Sequence, residues 1–171
     1  MKKILSLVLF ASLFCVSPSW AVGHSRPCLE KDLVGTWQMR SINTKLKLDS
    51  RDPFAAPYQW FIFDAQGRFK QMTSSEPIAG KSDLIRQFEE RIPTTRYALD
   101  AKGMITLTRI ETPNPEVCVC TYVLEGVPED KLAAIPEAQR WNVPQKGDLI
   151  LTYPNGEGKP VLAKSLRRVK T

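Results

Sequence analysis

Histidine is nearly absent from this chain: 171 residues contain one, His24. That scarcity excludes most His-dependent catalysis and His-rich metal sites. A glycine-rich phosphate loop and a haem-attachment motif are missing too. Charge of one sign is in short supply, with 24 Lys and Arg against 18 Asp and Glu, a net of +6. So small an excess gives little reason to expect a nucleic-acid partner. No apolar run is long enough to cross a membrane. The longest, residues 4–16, reaches about 20 Å as a helix against a hydrocarbon core of about 30 Å. What remains is ordinary globular composition, 43% hydrophobic and 25% charged, and 13 Pro with 9 Gly speak against a helical bundle.

The run 4–16 follows Lys2 and Lys3 and precedes Ser19 and Ala21, small residues two apart. A basic start, a short apolar stretch and such a pair describe a secretory signal peptide cut after Ala21, short and of the bacterial type. The periplasm is then the expected destination, and Cys15 belongs to the discarded segment. The expected organisation is 1–21 signal peptide, 22–32 N-terminal segment and 33–171 a single β-barrel domain, with no transmembrane segment in the mature chain. Export also argues against nucleic acid.

Beyond the signal there are three cysteines, Cys28, Cys118 and Cys120. An oxidising compartment favours a disulfide. Cys118 and Cys120 fall on one face of a strand, too far apart to bridge each other easily. The expected bond therefore joins Cys28 to Cys118 or Cys120 and leaves one odd thiol. That thiol is either a buried free cysteine or half of a Cys-x-Cys pair for a soft metal or thiol exchange.

Eight strand-like segments follow at 33–42, 58–63, 68–73, 96–99, 104–110, 117–125, 148–153 and 160–168. Asp64-Ala-Gln-Gly67 and Asp100-Ala-Lys-Gly103 each place Asp at a turn start and Gly at the left-handed position that closes a hairpin. One helix is expected at 82–92, with Leu84, Ile85, Phe88 and Ile92 on its apolar face and Pro93 ending it. A helical turn is expected near 129–134. Eight antiparallel neighbours can close into a meander barrel that has no exposed edge. An open sheet or a sandwich stays possible, because several strands are apolar on both faces.

Gly35-Thr36-Trp37 on the first strand resembles the Gly-x-Trp opening of lipocalins and related small calycin-type exported barrels. That resemblance implies that an Arg near the chain end, Arg167 or Arg168, packs across Trp37 and closes the barrel base. Gly35, Trp37, Arg167 and Arg168 are thus structural candidates. The resemblance also implies a lipocalin-like cup for a small, largely apolar ligand, lined by Met39, Trp60, Ile62, Tyr97, Leu107 and Tyr122. The competing expectation is that these side chains simply fill the barrel, since eight strands enclose little spare room.

No nucleophile with its base can be assembled, and the acidic residues Asp83, Glu89, Glu90 and Glu111 show no paired-carboxylate spacing, so no catalytic residue is expected. Cleavage after Ala21 would place His24 third in Val22-Gly23-His24. An amine, two amides and an imidazole in that order suit square-planar Cu(II) or Ni(II). The leading expectation is a periplasmic, non-enzymatic binding protein without a cofactor. The alternatives are a copper- or thiol-linked accessory protein, and a protein-binding inhibitor or assembly factor that uses the long 43–57 and 128–144 loops.

Overall fold

The structure, a computed structural model, describes residues 24–47, 55–78, 82–111, 114–140 and 142–169. The expected signal peptide and Val22-Gly23 lie outside the described residues, as does part of the 43–57 loop. The strands are β1 (Ser25–Pro27), β2 (Gly35–Thr44), β3 (Tyr58–Phe63), β4 (Arg68–Ser74), β5 (Thr95–Leu99), β6 (Met104–Arg109), β7 (Glu116–Val123), β8 (Leu149–Pro154) and β9 (Pro160–Arg168). The helical segments are α1 (Glu30–Leu33), α2 (Ser82–Glu90), α3 (Glu129–Ala133) and α4 (Glu137–Arg140).

From β2 to β9 each strand is antiparallel to the next, and β9 pairs back onto β2 from Trp37↔Arg168 to Thr44↔Leu162. The result is a closed eight-stranded antiparallel barrel, as the strand count suggested. Its hairpins rest on one device. Asp64 Oδ1 accepts from the backbone N–H of Gln66 and Arg68, each at 2.9 Å, and Asp100 Oδ1 does the same for Lys102 and Met104 at 2.8 Å. Asn155 Oδ1 repeats it for Glu157 at 3.0 Å and Lys159 at 2.9 Å. A short side-chain acceptor at the turn start satisfies two donors that would otherwise have no partner.

The N-terminal segment is built into the barrel. The strand at the chain start begins at Gly35 and not at Leu33, because Leu33 ends α1. β1 adds to β7 along Ser25↔Val123 to Pro27↔Thr121, taking up that edge where β6 stops at Met104↔Val119. Cys28 follows directly and forms a disulfide with Cys120, so of the two expected partners Cys120 is the one used and Cys118 stays free and buried. Gly103 is needed at this junction, because a Cβ there would lie 2.6 Å from the Cys120 carbonyl oxygen and 3.1 Å from Pro27 Cβ.

α1 then stoppers one end of the barrel. Leu33 and Trp37 are both 0% exposed, and Trp37 Nε1 donates to the Leu33 carbonyl at 2.8 Å. The Arg168 guanidinium lies 4.5 Å from the Trp37 ring centroid and donates to the Val34 carbonyl at 2.7 Å and the Asp32 carbonyl at 2.8 Å. Arg168, not Arg167, is therefore the arginine across the tryptophan. Arg167 sits one position back on the outer face, pairs with Asp148 at 2.8 Å and 3.0 Å, and reaches the Val143 carbonyl at 3.2 Å. It ties down the long connection between β7 and β8.

α2 covers the outer wall of β3 and β4 instead of entering the barrel. Phe88 joins Trp60 and Ile78 in a second small core, with Ile85, Tyr58, Ile62, Met72 and Val169 against it. Of the apolar face expected for this helix, Phe88 and Ile85 are used. Leu84 is 38% exposed and Ile92, beyond the helix end, is 83% exposed.

Two substitutions test the stopper. Cys28→Ser with Cys120→Ser should lose about 2–5 kcal/mol of unfolding free energy in non-reducing urea titrations. Gly35 has φ +143°, and a Cβ there would land on the Arg168 guanidinium. Gly35→Ala should therefore lose about 1–3 kcal/mol, and only the steric share of that loss should vanish when Arg168→Ala is already present, because the backbone strain stays.

Candidate functional site

The barrel interior changes character along its axis. At the stoppered end Leu33, Trp37, Leu149 and Leu166 are completely buried. Above them stands an aromatic group. Phe63 is 4.9 Å from Phe69 and 5.3 Å edge-on from Tyr97, and Phe61 is 6.2 Å from Phe69. Tyr97 adds a polar tie, its hydroxyl donating to the Asp64 carbonyl at 2.7 Å.

Next to this group lies a set of polar side chains. Alternation along β9 points Leu162, Lys164 and Leu166 inward, and Lys164 is 0% exposed. Its ammonium donates to Gln59 Oε1 at 2.8 Å and stands 5.6 Å from the Phe61 ring centroid and 5.4 Å from that of Tyr153. Gln59, also 0% exposed, donates to the Ala56 carbonyl at 2.9 Å and accepts from Gln71 Nε2 at 3.3 Å. A fully buried ammonium needs such acceptors and ring faces to offset lost hydration.

Two acids face this group from β7. Burial raises the Glu116 carboxyl above its ordinary range, with nearby Arg109 and Lys164 opposing that shift. Arg109 approaches Glu116 at 3.6 Å. The Cys118 thiol is pushed up to about 12 by burial and by the neighbouring Glu116 charge. It shares a hydrogen bond with Tyr153, whose own hydroxyl is shifted upward by burial. Near neutral pH Cys118 is a protonated thiol and no nucleophile.

The expected lining residues separate into groups. Met39, Tyr97 and Leu107 do face the interior, at 4%, 8% and 5% exposure. Trp60 and Ile62 do not: they sit on the outer wall beneath α2, and Trp60 Nε1 has no hydrogen-bond partner there. The strand 58–63 is apolar on both faces, so alternation alone could not choose the inner one. The face that turns inward is Gln59, Phe61 and Phe63. Tyr122 lies on the inner face beside the stopper, with the Arg26 guanidinium 4.8 Å from its ring centroid. Arg26 also holds Asp32 through hydrogen bonds at 2.6 Å and 3.0 Å, which keeps the Asp32 carboxyl below its ordinary value.

No family model, no curated protein and no solved structure matches the chain.

The metal-directed expectations fare unevenly. The Cys118–Cys120 thiolate pair is overturned, since Cys120 is in the disulfide. Among the described residues no three His, Cys, Asp or Glu side chains gather to hold an ion. His24 is exposed, with Nδ1 4.0 Å from Glu125, and its carbonyl accepts from Leu124 at 2.9 Å and Glu125 at 3.2 Å. The chelate proposed around it needs Val22 and Gly23, outside the described residues.

The signal for Lys164 was present in the sequence: 160–168 alternates so that a lysine falls between two leucines on the core-facing register. The strand also ends in Lys and Arg residues that belong to the surface, which hid it.

The raised Cys118 value carries a pH signature. In the unfolded chain this thiol ionises near its ordinary 9.0, and in the folded protein near about 12. The unfolded state therefore loses its proton first, and folding stability falls as pH rises across that window. Unfolding midpoints measured at pH 8 and pH 10.5 should drop, and Cys118→Ala should make the drop smaller. At pH 8 the native thiol should resist a thiol-specific reagent and react once urea unfolds the chain.

Proposed function

We propose that this chain is an exported, periplasmic, non-enzymatic protein that binds a small, largely apolar molecule through a lipocalin-like barrel. The observation that carries this reading is the asymmetry of the barrel. One end is sealed by α1, the disulfide and the Arg168–Trp37 stack. Toward the other end the inner wall passes from aromatic rings to Lys164, Gln59 and Gln71. A molecule with an apolar body and one polar end would meet both surfaces in order. Met39, Tyr97 and Leu107 stay in the proposed lining, with Phe61, Phe69 and Tyr153 in place of Trp60 and Ile62. The Cys28–Cys120 disulfide supports export, since such bonds persist in oxidising compartments. No helix among the described residues is long and apolar enough to cross a membrane.

The test is a native mass spectrum of protein secreted to the periplasm and purified without reductant or chelator. A chain beginning at Val22, two hydrogens lighter than the reduced mass and carrying an adduct of a few hundred daltons, is the expected result. A retained signal segment would overturn export. A processed chain that never carries or takes up an organic adduct would overturn ligand binding.

A further inference from the structure

The barrel wall has one weak seam. β4 and β5 are joined through Arg68↔Arg96 and Phe69↔Thr95, and there the ladder ends, although β4 continues to Ser74. The Asp64–Arg68 turn fixes which β4 residues face which neighbour. Asp64 N–H donates to the Arg68 carbonyl, and Tyr97 N–H on β5 donates to the Gly67 carbonyl at 2.8 Å. Antiparallel alternation then directs the backbone N–H and C=O of Gln71 and Thr73 toward β5, which is no longer there to meet them. Thr73 is exposed although its register partner Gln59 is completely buried. Among the described residues no strand covers the wall at this height.

The rim of the seam carries the features of a docking site. Ile110, whose N–H donates to the Thr94 carbonyl at 3.0 Å, is 76% exposed, and Ile92 just before Thr94 is 83% exposed. Arg109 is exposed and pairs with Glu116 at 3.6 Å, beyond hydrogen-bond distance, so among the described residues its guanidinium donors make no hydrogen bond. Arg91 and Arg96 are exposed as well, Arg96 one register step from Arg109 on the neighbouring strand.

We propose that the open edge of β4 receives an extended segment of a partner protein, which pairs with Gln71 and Thr73 and presents a carboxylate to Arg109. An unpaired strand edge offers donors and acceptors alternately, a pattern matched by another extended backbone. The exposed isoleucines give its apolar side chains a surface. The arginines favour an acidic residue in it over a neutral one. The Gln71 side chain also belongs to the polar end of the barrel lining, but the segment pairs with the backbone of Gln71, so the pairing does not require that the interior take a small molecule.

The probe is the blocked hexapeptide Ac-Val-Thr-Val-Glu-Val-Thr-amide, added to the full mature protein and followed through its backbone amide NMR spectrum. The Gln71 and Thr73 amides should shift. A Glu→Gln peptide should bind about five- to tenfold more weakly, and that difference should disappear in Arg109→Gln protein. The same peptide N-methylated at alternate amides, which cannot form the ladder, should leave both signals unmoved. Because Arg109 is exposed, its variant should fold, as the remaining spectrum would verify. Failure of the unmethylated peptide to move Gln71 and Thr73 at millimolar concentration would overturn the proposal. Equal binding by the N-methylated peptide would remove the strand, and equal binding by the Glu and Gln peptides would remove Arg109.

Discussion

The packing of Arg168 on Trp37 is the contact on which the rest of the barrel depends. The two residues are register partners where the first barrel strand meets the last, so their contact and the closure of the cylinder are one event. The same guanidinium spans the chain, donating to carbonyls at Asp32 and Val34 and thereby capping α1. It can approach so closely because position 35 is glycine. A side chain there would occupy the space of the guanidinium, and the backbone at φ +143° would strain any L-residue. Three residues and one arginine thus close a wall, set the stopper and fix where β2 begins.

The disulfide extends that arrangement to the opposite side of the end. Arg168 holds the C-terminal part of the N-terminal segment, and Cys28–Cys120 holds its beginning, with the Arg26–Asp32 pair between them. A short segment with little buried surface of its own would otherwise fray. Tied at both ends, Leu33 stays under the barrel. At the opposite side the β4–β5 ladder is brief, and inward-facing Thr73 and Arg109 reach solvent.

Much of this architecture was legible in the chain itself. All eight barrel strands, the two Asp-Ala-x-Gly turns and a disulfide from Cys28 followed from alternation and turn chemistry, because hairpin geometry is written locally. Features that depend on what covers a surface were not legible. Strand 58–63 has apolar side chains on both faces, and only the placement of α2 tells which face is outside. Arg167 and Arg168 are equivalent to a sequence pattern until the register of β9 against β2 is known. Lys164 looks like a surface residue in a basic strand end, yet register carries it into the core. β1 is too short to show periodicity, and its existence rests on the edge that β6 leaves vacant.

The central claim is a cylinder closed firmly at one end and parted between β4 and β5 at the other. Residue-resolved hydrogen exchange on the native, oxidised protein measures it directly. Amides of Gln38, Arg167 and Val169, which bond across the β2–β9 closure, should be among the slowest to exchange, while those of Gln71 and Thr73 should exchange at rates near those of exposed loops. Fast exchange along β2–β9 would mean an open sheet in place of a barrel. Strong protection at Gln71 and Thr73 would mean that the wall has no seam.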